Sequence, residues 1–123
     1  MPKRILIVED SRTQAIRLQL ELQRYDLVVE VAVTGTAGLK AAQQQVPDGI
    51  VLDVELPGIN GYTLCRTLKA DPRTAHIPVV MLTRHDQAAE TLKGLAVGAD
   101  DYIPKDAFAE QNLVASFRQL NIL

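Results

Sequence analysis

The sequence predicts an α/β fold, a doubly wound (βα)5 three-layer sandwich around a five-stranded parallel sheet. Three observations lead there. Short apolar runs alternate with segments of helical period along the whole chain, as in successive βαβ units. Runs such as Ile5-Leu6-Ile7-Val8 and Val79-Val80-Met81-Leu82 are apolar on both faces, so helices must cover both sides of the sheet. Crossovers between parallel strands are right-handed, which leaves this winding as the topology.

The elements follow in order. After the strand at Ile5–Val8, a helix starts near Ser11 with Ala15, Leu18 and Leu22 on one stripe and Gln19, Glu21 and Gln23 outside it. Val28–Val33 is the second strand. Gly35–Gln45 is the second helix, ended by Pro47, and Ile50–Asp53 is the third strand. The third helix runs from Tyr62 to Ala70. It stops at Asp71-Pro72 because the residue before a proline is pushed out of the helical region. Ile77–Leu82 is the fourth strand. The fourth helix lies between Asp86 and Gly98, with Ala89, Leu92 and Ala96 at helical spacing and Gly98 supplying the positive φ of a helix end. Asp101–Pro104 is the fifth strand, and Asp106 caps a last helix whose buried face is Leu113, Phe117 and Leu120.

A chain of 123 residues holds one full core and no separate effector domain, so residues 1–123 are expected to form a single domain. With 47% hydrophobic and 23% charged residues and a net charge of -2, the composition is that of a folded domain and not of a disordered tail. Its 13 basic residues are scattered among 15 acidic ones. With no basic stripe, a direct nucleic-acid or membrane role is not expected. The lone Cys65 cannot form an internal disulfide, and no apolar stretch reaches the length of a membrane span, which fits a cytoplasmic protein. Met1-Pro2-Lys3-Arg4 before Ile5–Val8 is a first strand and not a leader, since Glu9-Asp10 ends the apolar run too early for a signal peptide. The initiating methionine and the clean final helix suit a stand-alone protein.

The chemistry sits at the ends of the apolar runs. Glu9-Asp10 follows Ile5–Val8, Asp53 follows Ile50–Leu52, Thr83 follows Val79–Leu82, and Lys105 follows Tyr102–Pro104. In a parallel sheet, residues just past the carboxyl ends of the strands converge on one crevice, the place where open α/β sheets bind ligands. Three carboxylates, a hydroxyl and an ammonium then share that crevice. Crowded carboxylates repel unless a divalent cation or a lysine offsets them, and hard oxygen ligands suit Mg2+. Such a pocket suggests phosphoryl chemistry.

With these residues in view, the chain from about Arg4 to Leu120 resembles the receiver domain of two-component response regulators, of the single-domain chemotaxis type. The resemblance rests on Glu9-Asp10, the segment Leu52-Asp53-Val54-Glu55-Leu56-Pro57-Gly58-Ile59-Asn60-Gly61, Thr83, and Gly98-Ala99-Asp100-Asp101-Tyr102-Ile103-Pro104-Lys105. Each alone is weak, and four in this order and spacing are strong. It implies a flavodoxin-like sheet of order 2-1-3-4-5. It also implies that Asp53 is the phosphoacceptor, taking a phosphoryl group from the histidine of a kinase or phosphotransfer protein. By the same resemblance Asp10 and Asp53 bind Mg2+ directly, Glu9 acts through water, and the main-chain carbonyl of Glu55 completes the protein's share. Lys105 pairs with Asp53 and then with a phosphoryl oxygen, and Thr83 donates to another. Thr83 and Tyr102 resemble the family's switch pair, a two-state element biased by one covalent charge. The output face is the fourth helix, fifth strand and last helix, including Lys93, Tyr102, Phe108 and Arg118. A kinase, a motor, an enzyme or a second copy of the chain could meet that face. The chemistry is self-phosphorylation and self-dephosphorylation, and no further enzyme activity is implied.

Two positions depart from the family pattern. Arg84 stands where the residue after the threonine is usually small, and its guanidinium could shield the acyl phosphate, contact it, obstruct the donor, or simply be solvated. Asp106 stands where a proline usually follows the lysine through a cis bond. A cis bond before a non-proline residue costs about 3 kcal/mol, so Lys105-Asp106 is expected to be trans. Glu55 and His85 occupy the family's positions for tuning hydrolysis of the acyl phosphate. An exposed loop histidine without a role is the default for His85. Pro57-Gly58 and Asn60-Gly61 are turn dipeptides that let the backbone approach the crevice.

Other readings compete. Thr34-Gly35-Thr36-Ala37-Gly38 resembles a phosphate-cradling loop, but it follows the second strand and not the first, and few aromatics are present to stack on a flavin, so it is a turn and helix start. Cys65, beside Leu64 and Leu68, is a small core residue. A haloacid-dehalogenase-like phosphatase would need an aspartate where Glu55 stands and a cap insertion for which no length remains. The surviving alternative is a pseudo-receiver, a constitutive binding module that is never phosphorylated.

Overall fold

Strands that are apolar on both faces are satisfied only in the interior of a sheet, and the three such strands lie there. In the computed structural model, which describes residues 2–84, 93 and 96–123, β1 (Arg4–Val8), β3 (Gly49–Asp53) and β4 (Val79–Thr83) are central. The half-exposed β2 (Val28–Ala32) and β5 (Asp101–Pro104) are the edges. All neighbours pair in parallel, in the order β2-β1-β3-β4-β5. This is the expected doubly wound sheet.

Side chains alternate between two cores, one on each face of the sheet. On one face Leu6, Val8, Ile50, Leu52, Val79 and Met81 meet Ala42 of α2 (Gly35–Gln44) and Leu64, Cys65 and Leu68 of α3 (Gly61–Ala70). On the other, Ile5, Ile7, Val51, Val80 and Leu82 meet Leu18 and Leu22 of α1 (Arg12–Gln23) and Leu113, Val114 and Phe117 of the C-terminal helix (Ala109–Gln119). Ala15, Leu18 and Leu22 are the buried residues of α1, the stripe read from the sequence.

Three helices start on side-chain caps. Ser11 Oγ accepts the Gln14 N–H, Thr34 Oγ1 that of Ala37, and Asn60 Oδ1 that of Thr63. Thr34 and Gly35 thus form the expected turn and helix start. Cys65 is fully buried in the core.

The structure corrects several limits. The fourth strand begins at Val79 and includes Thr83, because Pro78 has no N–H to enter the ladder and contributes its carbonyl to the Ile50 N–H instead. Asp106 does not cap the last helix. Its Oδ1 accepts the Phe108 N–H and its carbonyl the Ala109 N–H, an Asx turn that delays the helix to Ala109. The expected helix between Asp86 and Gly98 falls largely outside the described residues. Lys93 and Ala96 are helical, Val97 N–H donates to the Lys93 carbonyl at 3.2 Å, and Gly98 has φ +94° as expected.

Behind this segment, Lys69 ties three pieces of chain together. Its Nζ donates to the carbonyls of Ala75 (3.4 Å) and Ile77 (2.7 Å) and lies 2.9 Å from Asp100 Oδ2. The same Asp100 oxygen accepts the Val79 N–H at 2.8 Å. The run into β5 is therefore anchored to the start of β4 and the end of α3.

Candidate functional site

The register places Asp53 opposite Leu82 and Thr83 opposite Pro104, so residues 9, 53, 83 and 105 finish on the same edge of the sheet. Backbone bonds carry the order past the strand ends. Glu9 N–H donates to the Ala32 carbonyl at 3.0 Å, Val54 N–H to Leu82 at 2.9 Å and Lys105 N–H to Thr83 at 2.6 Å. Glu9, Asp53 and Thr83 are buried, whereas Asp10 is exposed.

One oxygen from each of Glu9, Asp10 and Asp53 lies within 4.8 Å of the others. Lys105 Nζ sits 3.0 Å from Asp53 Oδ2 and 3.0 Å from Glu9 Oε2, two ion pairs on one ammonium. The other oxygens are held by the backbone: Asp53 Oδ1 accepts the Glu55 N–H at 3.0 Å and Glu9 Oε1 the Ser11 N–H at 3.2 Å. Burial pushes the Glu9 carboxyl up to about 7, the adjoining Lys105 ammonium opposing and the Asp53 charge adding to the rise.

The loop after β3 is shaped to leave this pocket accessible. Gly58 turns it with φ +76°. Gly61 then brings the start of α3 against the strand end, its N–H donating to the Val54 carbonyl at 2.9 Å. A Cβ on Gly61 would fall on the Asp53 carbonyl oxygen and 2.6 Å from Val54 Cα, so only glycine permits the approach. The sequence reading expected this proximity but described Asn60 as a turn residue, and its side chain is the helix cap.

Three carboxylates facing one ammonium leave the pocket with excess negative charge, and all the protein donors are hard oxygens. That donor set fits a small divalent cation, with the exposed side at Asp10 open to water. Among the described residues no helix is long and apolar enough to cross a membrane.

The remaining candidates lie around the rim. Arg84 and Glu55 are exposed, and Tyr102 is half-buried. His85 lies outside the described residues. The Lys105-Asp106 bond is trans. Two contacts escaped sequence reasoning: the second carboxylate on Lys105, and the Tyr62 hydroxyl, 3.4 Å from that of Tyr102. The signal for Tyr62 was a hydroxylated aromatic in the first turn of a helix starting beside the crevice.

A doubly wound parallel sheet with an acidic pocket and a lysine at its carboxyl edge is the architecture of a small α/β signal-receiver module. The chain belongs to the response regulator receiver domain family, whose model matches residues 5–118. That family is a signalling module and not an enzyme, and Glu9, Asp10 and Asp53 are the acidic triad typical of its Mg2+ site. The chain is 41% identical over 105 residues to the response regulator PleD of Caulobacter vibrioides, covering 85% of this chain and 23% of that protein. It is 41% identical over 119 residues to the DNA-binding dual master transcriptional regulator RpaA of Synechocystis sp., covering 95% of this chain and 48% of that one. The chain thus spans about half or less of the length of these curated relatives. Among solved structures, the chemotaxis response regulator CheY4 of Vibrio cholerae superposes with a TM-score of 0.90 at 26% identity, over 100% of both chains.

Proposed function

We propose that this domain is a phosphorylation-switched receiver in which Asp53 accepts a phosphoryl group from a phosphohistidine of a cognate histidine kinase or phosphotransfer protein. A carboxylate oxygen of Asp53 attacks phosphorus and forms a P–O bond. The P–N bond to the donor imidazole breaks, and its electron pair stays on nitrogen. The observation that carries this reading is the setting of Asp53, a buried carboxylate at the crevice with Lys105 Nζ 3.0 Å away and two further carboxylates beside it.

Each neighbour then has a task. Lys105, held against Glu9 and Asp53, is the fixed positive charge for a phosphoryl oxygen, and its N–H bonds the carbonyl of Thr83, whose hydroxyl is the second donor in this reading. Glu9, Asp10 and Asp53, with the Glu55 carbonyl, would hold Mg2+, which when bound neutralises charge on the phosphoryl oxygens. Thr83 and Tyr102 form the switch that alters the face of β5, the C-terminal helix and the segment carrying Lys93. Arg84, Glu55 and His85 are positioned in the sequence to tune the lifetime of the acyl phosphate. The downstream partner is a protein that meets this face.

The test is intact-mass analysis after incubation with acetyl phosphate and Mg2+, beside Asp53→Asn and a chelated control. The expected result is a phosphoryl adduct that needs Mg2+ and vanishes in Asp53→Asn. An adduct retained by Asp53→Asn removes Asp53 from its role. No adduct from acetyl phosphate or from a kinase, with the protein folded, leaves the constitutive pseudo-receiver.

A further inference from the structure

Tyr62 joins three elements at one ring. Its hydroxyl is 3.4 Å from the Tyr102 hydroxyl on β5, and the Lys93 ammonium, from the segment between β4 and β5, lies 5.9 Å from its ring centroid. Both tyrosines pack, partly buried, against the same core cluster. Tyr62 is itself held firmly, because the preceding Gly61 is bonded to the Val54 carbonyl and lies against the Asp53 carbonyl. One end of this connection is thus a residue away from backbone that touches the acidic pocket, and the other is the switch tyrosine.

We propose that Tyr62 is a positioning residue that holds Tyr102 in the orientation of the unmodified site, so that activation has to break the hydroxyl pair. This rests on the switch reading of Thr83 and Tyr102 given above. The arrangement belongs to the unmodified state because Lys105 is engaged with Glu9 and Asp53. A contact present in one state and lost in the other lowers the apparent affinity for whatever selects the second state. One neutral hydrogen bond shifts such an equilibrium by about two- to tenfold. The cation over the ring, at the outer range for such contacts, adds less. Lys93 lies on the output face, so the same ring relays the state of Tyr102 to a charge that a partner would meet.

The test uses the full chain labelled with 3-fluorotyrosine and read by fluorine NMR. The chain has three tyrosines, so tyrosine-to-phenylalanine variants assign every resonance. Beryllofluoride with Mg2+ is the probe, and its own bound fluorine signal reports occupancy. In the wild type the Tyr102 resonance is expected to move on saturation. In Tyr62→Phe its starting position should already lie part of the way to the saturated one, and half-saturation should need about two- to tenfold less beryllofluoride. Far-UV circular dichroism and the urea midpoint of each variant should match the wild type and report an intact fold. Lys93→Gln should move the Tyr62 resonance and lower half-saturation by a smaller factor.

If Tyr102 moves normally in the wild type but Tyr62→Phe leaves both its starting resonance and half-saturation unchanged, Tyr62 holds nothing and the switch stands without it. If beryllofluoride binds and Tyr102 does not move, the switch reading falls and this proposal with it. If the bound signal never forms, the phosphoacceptor reading falls first.

Discussion

The Lys105 ammonium lies 3.0 Å from Glu9 Oε2, the same distance at which it meets Asp53 Oδ2. One cation, its side chain 10% exposed, therefore serves two buried carboxylates, and removing it strands both. Lys105→Met is expected to destabilise the Mg2+-free protein by about 3 kcal/mol at pH 8. The loss should shrink toward pH 6, where Glu9 takes up a proton and no longer depends on the ammonium. Urea denaturation at the two pH values measures it, and an equal loss at both would refute the shared pairing.

The raised Glu9 carboxyl gives Mg2+ binding a pH dependence of known sign. Its value of about 7 in the folded chain lies above the ordinary 4.5. Its favourable contribution to the metal-free fold is thus complete below 4.5 and lost as pH rises through about 7. A charged Glu9 favours the cation, so Mg2+ affinity should fall as pH drops below about 7. Thermal unfolding with Mg2+ or chelator at pH 6 and pH 8 should show the larger Mg2+ increment at pH 8. A larger increment at pH 6 would contradict the assignment.

Lys69 is expected to matter more for stability than its distance from the crevice suggests. Its side chain is 19% exposed and donates to two carbonyls and to Asp100. Lys69→Met keeps the stem and removes the donors, at a cost of about 2 kcal/mol. Asp100→Asn keeps an oxygen able to accept the Val79 N–H and should cost less. Comparable losses, or none for Lys69→Met, would show that the ammonium is not the anchor.

Cys65 should be inert in the native state. It is fully buried, and burial pushes its thiol up to about 11 from the ordinary 9. At pH 8, modification by a thiol reagent should be limited by opening of the chain and should accelerate sharply in urea. Rapid stoichiometric reaction in buffer alone would place the thiol at the surface.

Much of this molecule was legible before any coordinates, for reasons that particular residues make clear. Ile5–Val8 and Val79–Leu82 advertise central strands because both faces are apolar, and Ala15, Leu18 and Leu22 advertise a helix by spacing. The crevice followed because strand ends are points where chemistry and topology coincide. What escaped was contact between distant parts of the chain. No local pattern says that Lys105 reaches Glu9 as well as Asp53, or that Lys69 meets Asp100. The role of Asp106 was misjudged for a similar reason. An aspartate before a helix reads as a cap, yet here the same side chain closes an Asx turn and the helix waits until Ala109.

The division of the core between two faces also bears on how the chain is assembled. The face lined by Ile5, Ile7, Val80 and Leu82 is covered by α1 and by Leu113, Val114 and Phe117 of the C-terminal helix. α1 thus shares a core with the helix at Ala109–Gln119, at the far end of the domain. A nascent chain that has emerged only to residue 108 carries α2 and α3 against their side of the sheet, but its other side lacks half its cover. Completion of this core, and with it the placing of Lys105 just ahead of that helix, waits until the helix at Ala109–Gln119 has been made. Until that helix docks, a partly made domain has one face of its sheet uncovered and no fixed place for Lys105.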